Sequence, residues 1–295
     1  MVIDTHTHAW GPPSTEHPWV NENILESIDQ FDVETAYGAE SLLADMDRLR
    51  IDEAVVVGYP IVEWTDNWYT VKAAVEHDRL FGVVMLDHFG EDAVERARRT
   101  LSTEGVIGMR IAPGHHYDHM WRPAPNDETA TWLFEAIERR AFWEVAREEN
   151  SVITISAGYE HLDQIGELIE TYPDLVYLFD GYGPLSADSP DEHFEALAEF
   201  ARFENVGVKA SHTPFVSNRS FPYEDVHEVL YWLLEEFGRE RIAWGSDFPN
   251  VTQHPDGVTY AEAFDWLYHV DGLSETDRRY LEGDAWEAMT AEAMT

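Results

Sequence analysis

The 295-residue sequence has no cysteine, which excludes disulfides and thiolate metal ligands and leaves the redox compartment open. Lysine is nearly as scarce: only Lys72 and Lys209 occur, and the other basic residues are arginines. Against 19 basic residues stand 58 acidic ones, a formal net charge of -39 at pH 7 with a pI near 4.4. A field of that sign repels nucleic-acid phosphates and anionic membranes, so both are excluded as partners. No stretch approaches the roughly 20 uninterrupted apolar residues of a membrane span. The opening MVIDTHTHAW has neither the basic n-region nor the long apolar h-region of a secretory signal, and a soluble cytoplasmic protein is the expectation. The acidic residues run through nearly every segment instead of gathering in a tail. That distribution reads as the acidic surface of proteins from salt-loving organisms, where salt screens the self-repulsion. The competing reading is an acidic patch for a cationic partner.

What is present suffices for a core: 44% of residues are hydrophobic and 13% aromatic. Short β-branched runs alternate with apolar helical periodicity along the chain. Strands are expected at 1–8, 51–58, 80–87, 105–111, 151–156, 175–180, 206–211 and 241–247. The helices expected between and after them lie at 39–50, 67–78, 91–102, 128–150, 160–172, 190–204, 223–237, 260–270 and 275–289. Eight strand–helix units imply parallel pairing through right-handed crossovers and closure into a single-domain (β/α)8 TIM barrel spanning 1–295. An open doubly wound sheet is the alternative, but the Gly-rich phosphate turn expected after its first strand is missing. Two long loops, 9–37 and 112–127, have the length of functional lids, and the second carries His115, His116, His119 and Trp121.

In such a barrel the active site lies at the C-terminal strand ends. Alternation along an extended strand puts Asp4, His6 and His8 on one face, and two neighbouring imidazoles supply two of the ligands zinc needs. Closure brings strand eight beside strand one, and with it Asp247 beside the histidine pair. Asp247 then reads as a metal ligand, as a general base toward bound water, or as a turn residue before Pro249. Arg110 ends strand four and is placed to pair with a substrate carboxylate or to act structurally. Lys209 on strand seven reads either as an internal ion pair or as a substrate-orienting group.

The stretches VIDTHTH, GMRI, VGVKAS, RIAWGSDFP and LSETDRRYLEGDAWEAM, in this order over nearly the whole chain, resemble the amidohydrolase-related branch of the amidohydrolase superfamily. That branch includes lactonases and aminocarboxymuconate-semialdehyde decarboxylase. The resemblance implies a (β/α)8 barrel with a divalent ion, usually zinc, at His6, His8 and Asp247, the aspartate ligating the metal, activating water, or both. It also marks two departures. Where the family carries a histidine ending strand five, this chain has Ser156, and where it carries one ending strand six within a DHxG-like stretch, this chain reads Asp180-Gly181-Tyr182-Gly183. His161 or one of the histidines at 115, 116 and 119 would have to reach in, or Asp180 to substitute as an oxygen ligand or acid; His88 is expected to face the mouth.

The leading expectation is a metal-dependent hydrolase acting on a small carboxylate, lactone or amide, with Arg110, Ser156, Asp180 and Lys209 contacting substrate. The alternatives are a metal-independent lactonase with Asp247 as base, a non-oxidative decarboxylase, and a non-catalytic barrel with a degraded site. The expected partner is a small-molecule substrate, with homo-oligomerisation left open.

Overall fold

In the computed structural model, residues 1–19, 36–60, 62–113 and 132–294 are described. Eight parallel strands follow one another in sequence order. They are β1 (Ile3–Thr7), β2 (Glu53–Val57), β3 (Leu80–Met85), β4 (Val106–Ile111), β5 (Val152–Ile155), β6 (Val176–Phe179), β7 (Val206–Ala210) and β8 (Ile242–Trp244). The expected TIM barrel is the observed one. Its strands are β-branched and buried on both faces because helices cover the outside and side chains fill the inside. In β2 the period of two is explicit: Ala54 and Val56 join the outer core, whereas Val55 and Val57 pack inside with Ile3, Val83 and Trp286. Trp286 comes from the last helix, Ala285–Thr290, and packs against residues near the strand starts, opposite the end where chemistry is expected.

The seam between β8 and β1 is built differently from the other seven. Strand β8 has only three residues, so ladder bonds are few and side chains complete the closure. The Thr5 hydroxyl donates to the Trp244 carbonyl at 2.6 Å, and the Ser246 N–H donates to Asp4 Oδ1 at 2.9 Å. Beyond them the Asp247 N–H donates to the His6 carbonyl at 2.7 Å and the His8 N–H to the Phe248 carbonyl at 2.8 Å. Gly245 allows this approach, since an added Cβ would sit 2.7 Å from the His6 Cβ.

Several boundaries differ from expectation. Strand eight stops at Trp244 because the chain turns immediately, with Asp247 in the left-handed region at φ 61°. The helix expected at 128–150 is observed as Trp132–Ile137 and Arg140–Glu148, separated at Glu138 and Arg139. The closing helix is interrupted at Gly283 (φ 168°, ψ -39°). The helix Trp68–Glu76 opens on Asn67 with no bond from its side chain to the helix; Glu63 supplies the cap instead, accepting from the Tyr69 and Thr70 N–H groups. Most of the two expected loops, residues 20–35 and 114–127, lies outside the described residues, and so do His115, His116, His119 and Trp121. Among the described residues no helix is long and apolar enough to cross a membrane.

Candidate active site

Strand β1 delivers His6 and His8 to the barrel mouth with both side chains buried. The His8 Nδ1–H donates to the Val57 carbonyl at 2.7 Å, which fixes the tautomer and leaves Nε2 facing Asp247 Oδ1 at 3.1 Å. His6 is turned the same way: its Nδ1 faces Asp180 Oδ1 at 3.3 Å, and its Nε2 lies 3.6 Å from Asp247 Oδ1. Burial pushes the His6 imidazole down to about 4, with Asp180 opposing, so the ring is neutral at pH 7.

Asp247 has two sides. Oδ1 meets the histidine pair, and Oδ2 accepts from His212 Nδ1–H and, at 2.7 Å, from Asn250 Nδ2. Burial alone would raise this carboxyl, but His212 and His8 outweigh it and hold Asp247 well below the usual carboxylate range. Asp180 is likewise raised by burial and then held well below that range by Lys209, His6 and Arg110. Its Oδ1 lies 3.1 Å from Lys209 Nζ, and its Oδ2 accepts from Arg110 Nε at 2.9 Å. Behind the histidines, burial raises the Asp4 carboxyl to about 6, while it accepts from Ser246 N–H, His6 N–H and the Tyr260 hydroxyl.

These groups open into a cavity of about 420 Å³, whose walls also include Arg110, Ser156, Tyr59 and His212. One donor atom each of His6, His8 and Asp247 falls within a 4.8 Å cluster. The neutral His6 imidazole, the His8 imidazole whose Nδ1–H is given to the Val57 carbonyl, and the ionised Asp247 carboxylate make the donor set of a three-ligand catalytic zinc site with an open position, so the residues fit such an ion.

The amidohydrolase family profile matches residues 3–285. The chain belongs to the amidohydrolase family. This amidohydrolase is 27% identical over 249 residues to 4-sulfomuconolactone hydrolase of Rhizobium radiobacter, covering 84% of this chain and 75% of that one. Its fold is similar to that of a probable 2-pyrone-4,6-dicarboxylic acid hydrolase of Acinetobacter baumannii, at TM-score 0.75 and 16% identity over 98% of this chain and 99% of the other. It is also similar to a zinc-bound amidohydrolase of Burkholderia multivorans, at TM-score 0.74 and 17% identity over 99% of both chains. The chain is thus an enzyme of the amidohydrolase family, and its 27% identical relative is named as a hydrolase.

The amidohydrolase brings together His6, His8, Asp247, Asp180 and Arg110 as the sequence places them, though Asp180 stands behind His6 and does not join the cluster. Lys209 is fully buried and lies 3.1 Å from Asp180, the internal ion pair of the two readings. Ser156 lines the cavity wall without joining the histidines. His161 is buried in the turn Tyr159–His161 and does not line the cavity. The expectation for His88 is corrected: it packs at 4.3 Å from the Phe142 ring and 5.4 Å from the Trp143 ring, away from the mouth. Sequence reasoning passed over Tyr59, His212 and Asn250. Each had a signal, since Tyr59 and His212 follow strand ends within two residues and Asn250 lies three residues beyond Asp247.

Proposed function

We propose that this amidohydrolase hydrolyses a small lactone or amide that carries a carboxylate, using a divalent ion, zinc, held by His6, His8 and Asp247. The observation that carries the reading is the convergence of two imidazole Nε2 atoms on Asp247 Oδ1 while both Nδ1 atoms are turned to oxygen acceptors. Bound there, the ion would supply Lewis-acid polarisation of a carbonyl and a lowered pKa for water. The chain's own residues do the rest. His6 is kept neutral by burial, and Asp247 stays ionised and available as an acceptor for a proton of the attacking water. Arg110 gives one cavity wall a positive charge in a chain of net charge -39, which favours an anionic group at that wall. The lactone class is supported by the name of the 27% identical relative, a hydrolase of 4-sulfomuconolactone. A small molecule is the partner this cavity suits, and the acidic surface suits high ionic strength.

A second reading dispenses with the ion. His212 and Asn250 already donate to Asp247 Oδ2, and Asp180 is matched by Lys209 and Arg110, so both carboxylates have donors or counter-charges without an ion and Asp247 would act as base alone. The test is hydrolysis of a lactone panel, including 4-sulfomuconolactone and 2-pyrone-4,6-dicarboxylate, before and after chelation. Activity lost to chelator and restored by zinc supports the metal reading. Activity indifferent to both removes it in favour of the second.

A further inference from the structure

The geometry points to a carboxylate clamp: Asn250, aimed by Tyr59 and Gln253 and seconded by His212, locks Asp247 so that it offers a metal ion one oxygen and no more. The inference rests on the metal reading above and assigns positioning roles to residues that do not themselves reach the ion.

Asp247 Oδ2 accepts two donors, His212 Nδ1–H and Asn250 Nδ2 at 2.7 Å, while Oδ1 is the atom turned to His6 and His8. A carboxylate with one oxygen held by two donors cannot swing to chelate an ion through both without breaking them. Asn250 is itself oriented. Its carbonyl Oδ1 accepts from the Tyr59 hydroxyl at 3.0 Å and from Gln253 Nε2 at 2.5 Å, and Gln253 Nε2 also donates to the Tyr59 hydroxyl at 2.7 Å. With its oxygen engaged on that side, the Asn250 amide presents its NH2 group to Asp247. The Tyr59 ring in turn packs tilted against His8, with centroids 4.7 Å apart, and stacks on Trp10 at 5.2 Å. A residue just past β2 thereby supports the His8 ring and sets, through Asn250, the carboxylate that follows β8. Asp247 is also fixed from behind, with its backbone in the left-handed region at φ 61° and its N–H bonded to the His6 carbonyl.

The chemical consequence is selectivity. Two imidazoles and a one-oxygen carboxylate suit a small ion of low coordination number such as zinc or cobalt(II). Calcium, which takes six to eight oxygens and favours two-oxygen carboxylates, is excluded by the same clamp. One position stays open for water or substrate.

The test uses cobalt(II) as probe on the full chain, read by visible absorption, with affinity from competition against a chromophoric chelator. The parent protein is expected to bind one equivalent with the intense band of a four-coordinate ion. Asn250→Ala leaves Oδ2 with His212 as its one remaining donor of the pair and loosens the clamp: the band weakens as the carboxylate turns toward two-oxygen coordination, and affinity falls by about 10- to 100-fold. Tyr59→Phe keeps the ring contact with His8 and removes only the hydroxyl, so it shifts band and affinity in the same direction by about 10-fold or less. In an Asn250→Ala background Tyr59→Phe should add nothing, because its effect travels through Asn250. Thermal melts check that both variants fold. Unchanged spectra in both variants, or fully additive losses, overturn the clamp while leaving the metal reading intact. A parent that binds no cobalt or zinc overturns the metal reading, and the clamp with it.

Discussion

Replacing Asp180 by asparagine removes one negative charge from a buried cluster at nearly constant volume. Lys209 is fully buried, with the Asp180 carboxylate 3.1 Å from its ammonium and the Trp286 ring centroid 5.6 Å away. Burial pushes the Lys209 amine down and Asp180 is the chief group opposing that fall. In Asp180→Asn the ammonium has lost its counter-charge in an apolar setting, where breaking one side of a buried pair typically destabilises by about 3–5 kcal/mol. At about 2 cal/mol/K of unfolding entropy per residue, that amounts to a fall in Tm of roughly 5–8 °C for a chain of this length. Lys209→Met in the same background removes the stranded charge and fills its volume, so Asp180→Asn/Lys209→Met should recover most of the loss. Thermal melts of the three proteins at one pH and salt decide the matter. An Asp180→Asn variant within about 2 °C of the parent, or a double variant no more stable than the single one, refutes the reasoning.

Gly245→Ala puts a methyl group 2.7 Å from the His6 Cβ and 3.1 Å from the Ser211 Cβ, neither of which can swing away, so the variant should lose about 1–3 kcal/mol in urea unfolding and bind zinc more weakly. Unaltered stability and zinc affinity would show that the seam has slack. Burial raises the Glu63 carboxyl from 4.5 to about 7, so between these values the unfolded chain releases a proton that the folded chain keeps. Stability should therefore fall by about 3 kcal/mol as pH rises through that window and then level off. Urea unfolding at pH 5 and pH 8 should show that fall in the parent relative to Glu63→Gln, and an equal change in both proteins would rule it out. With a net charge of -39, repulsion should weaken as the screening length shrinks from about 10 Å at 0.1 M salt to about 3 Å at 1 M. Tm should climb with potassium chloride over that range, and a flat or falling Tm would count against a high-salt protein.

The barrel was legible because its strands are short apolar, mostly β-branched runs that alternate with helical periodicity, and even a three-residue β8 is flagged by Ile242-Ala243-Trp244. The pairing of His6 and His8 with Asp247 was legible for a similar reason: period-two geometry fixes the first two, and closure of the barrel fixes the third. What escaped is what depends on loop conformation. His212 follows β7 by two residues and reaches Asp247 only because its backbone turns left-handed at φ 64°, which no periodicity announces. Tyr59 and Asn250 are 191 positions apart and meet across the mouth through one hydrogen bond. His88 follows the third strand, where a side chain is expected at the mouth, whereas its ring is one more member of an aromatic cluster with Trp132, Phe142 and Trp143.

The most direct test of the central claim is the metal content, by elemental analysis, of protein purified without chelator in high salt, beside a His6→Ala/His8→Ala variant. The account predicts close to one equivalent of zinc or a similar divalent ion in the parent and none in the variant. Parent protein that remains empty after incubation with zinc, or a variant that keeps its metal, would contradict it.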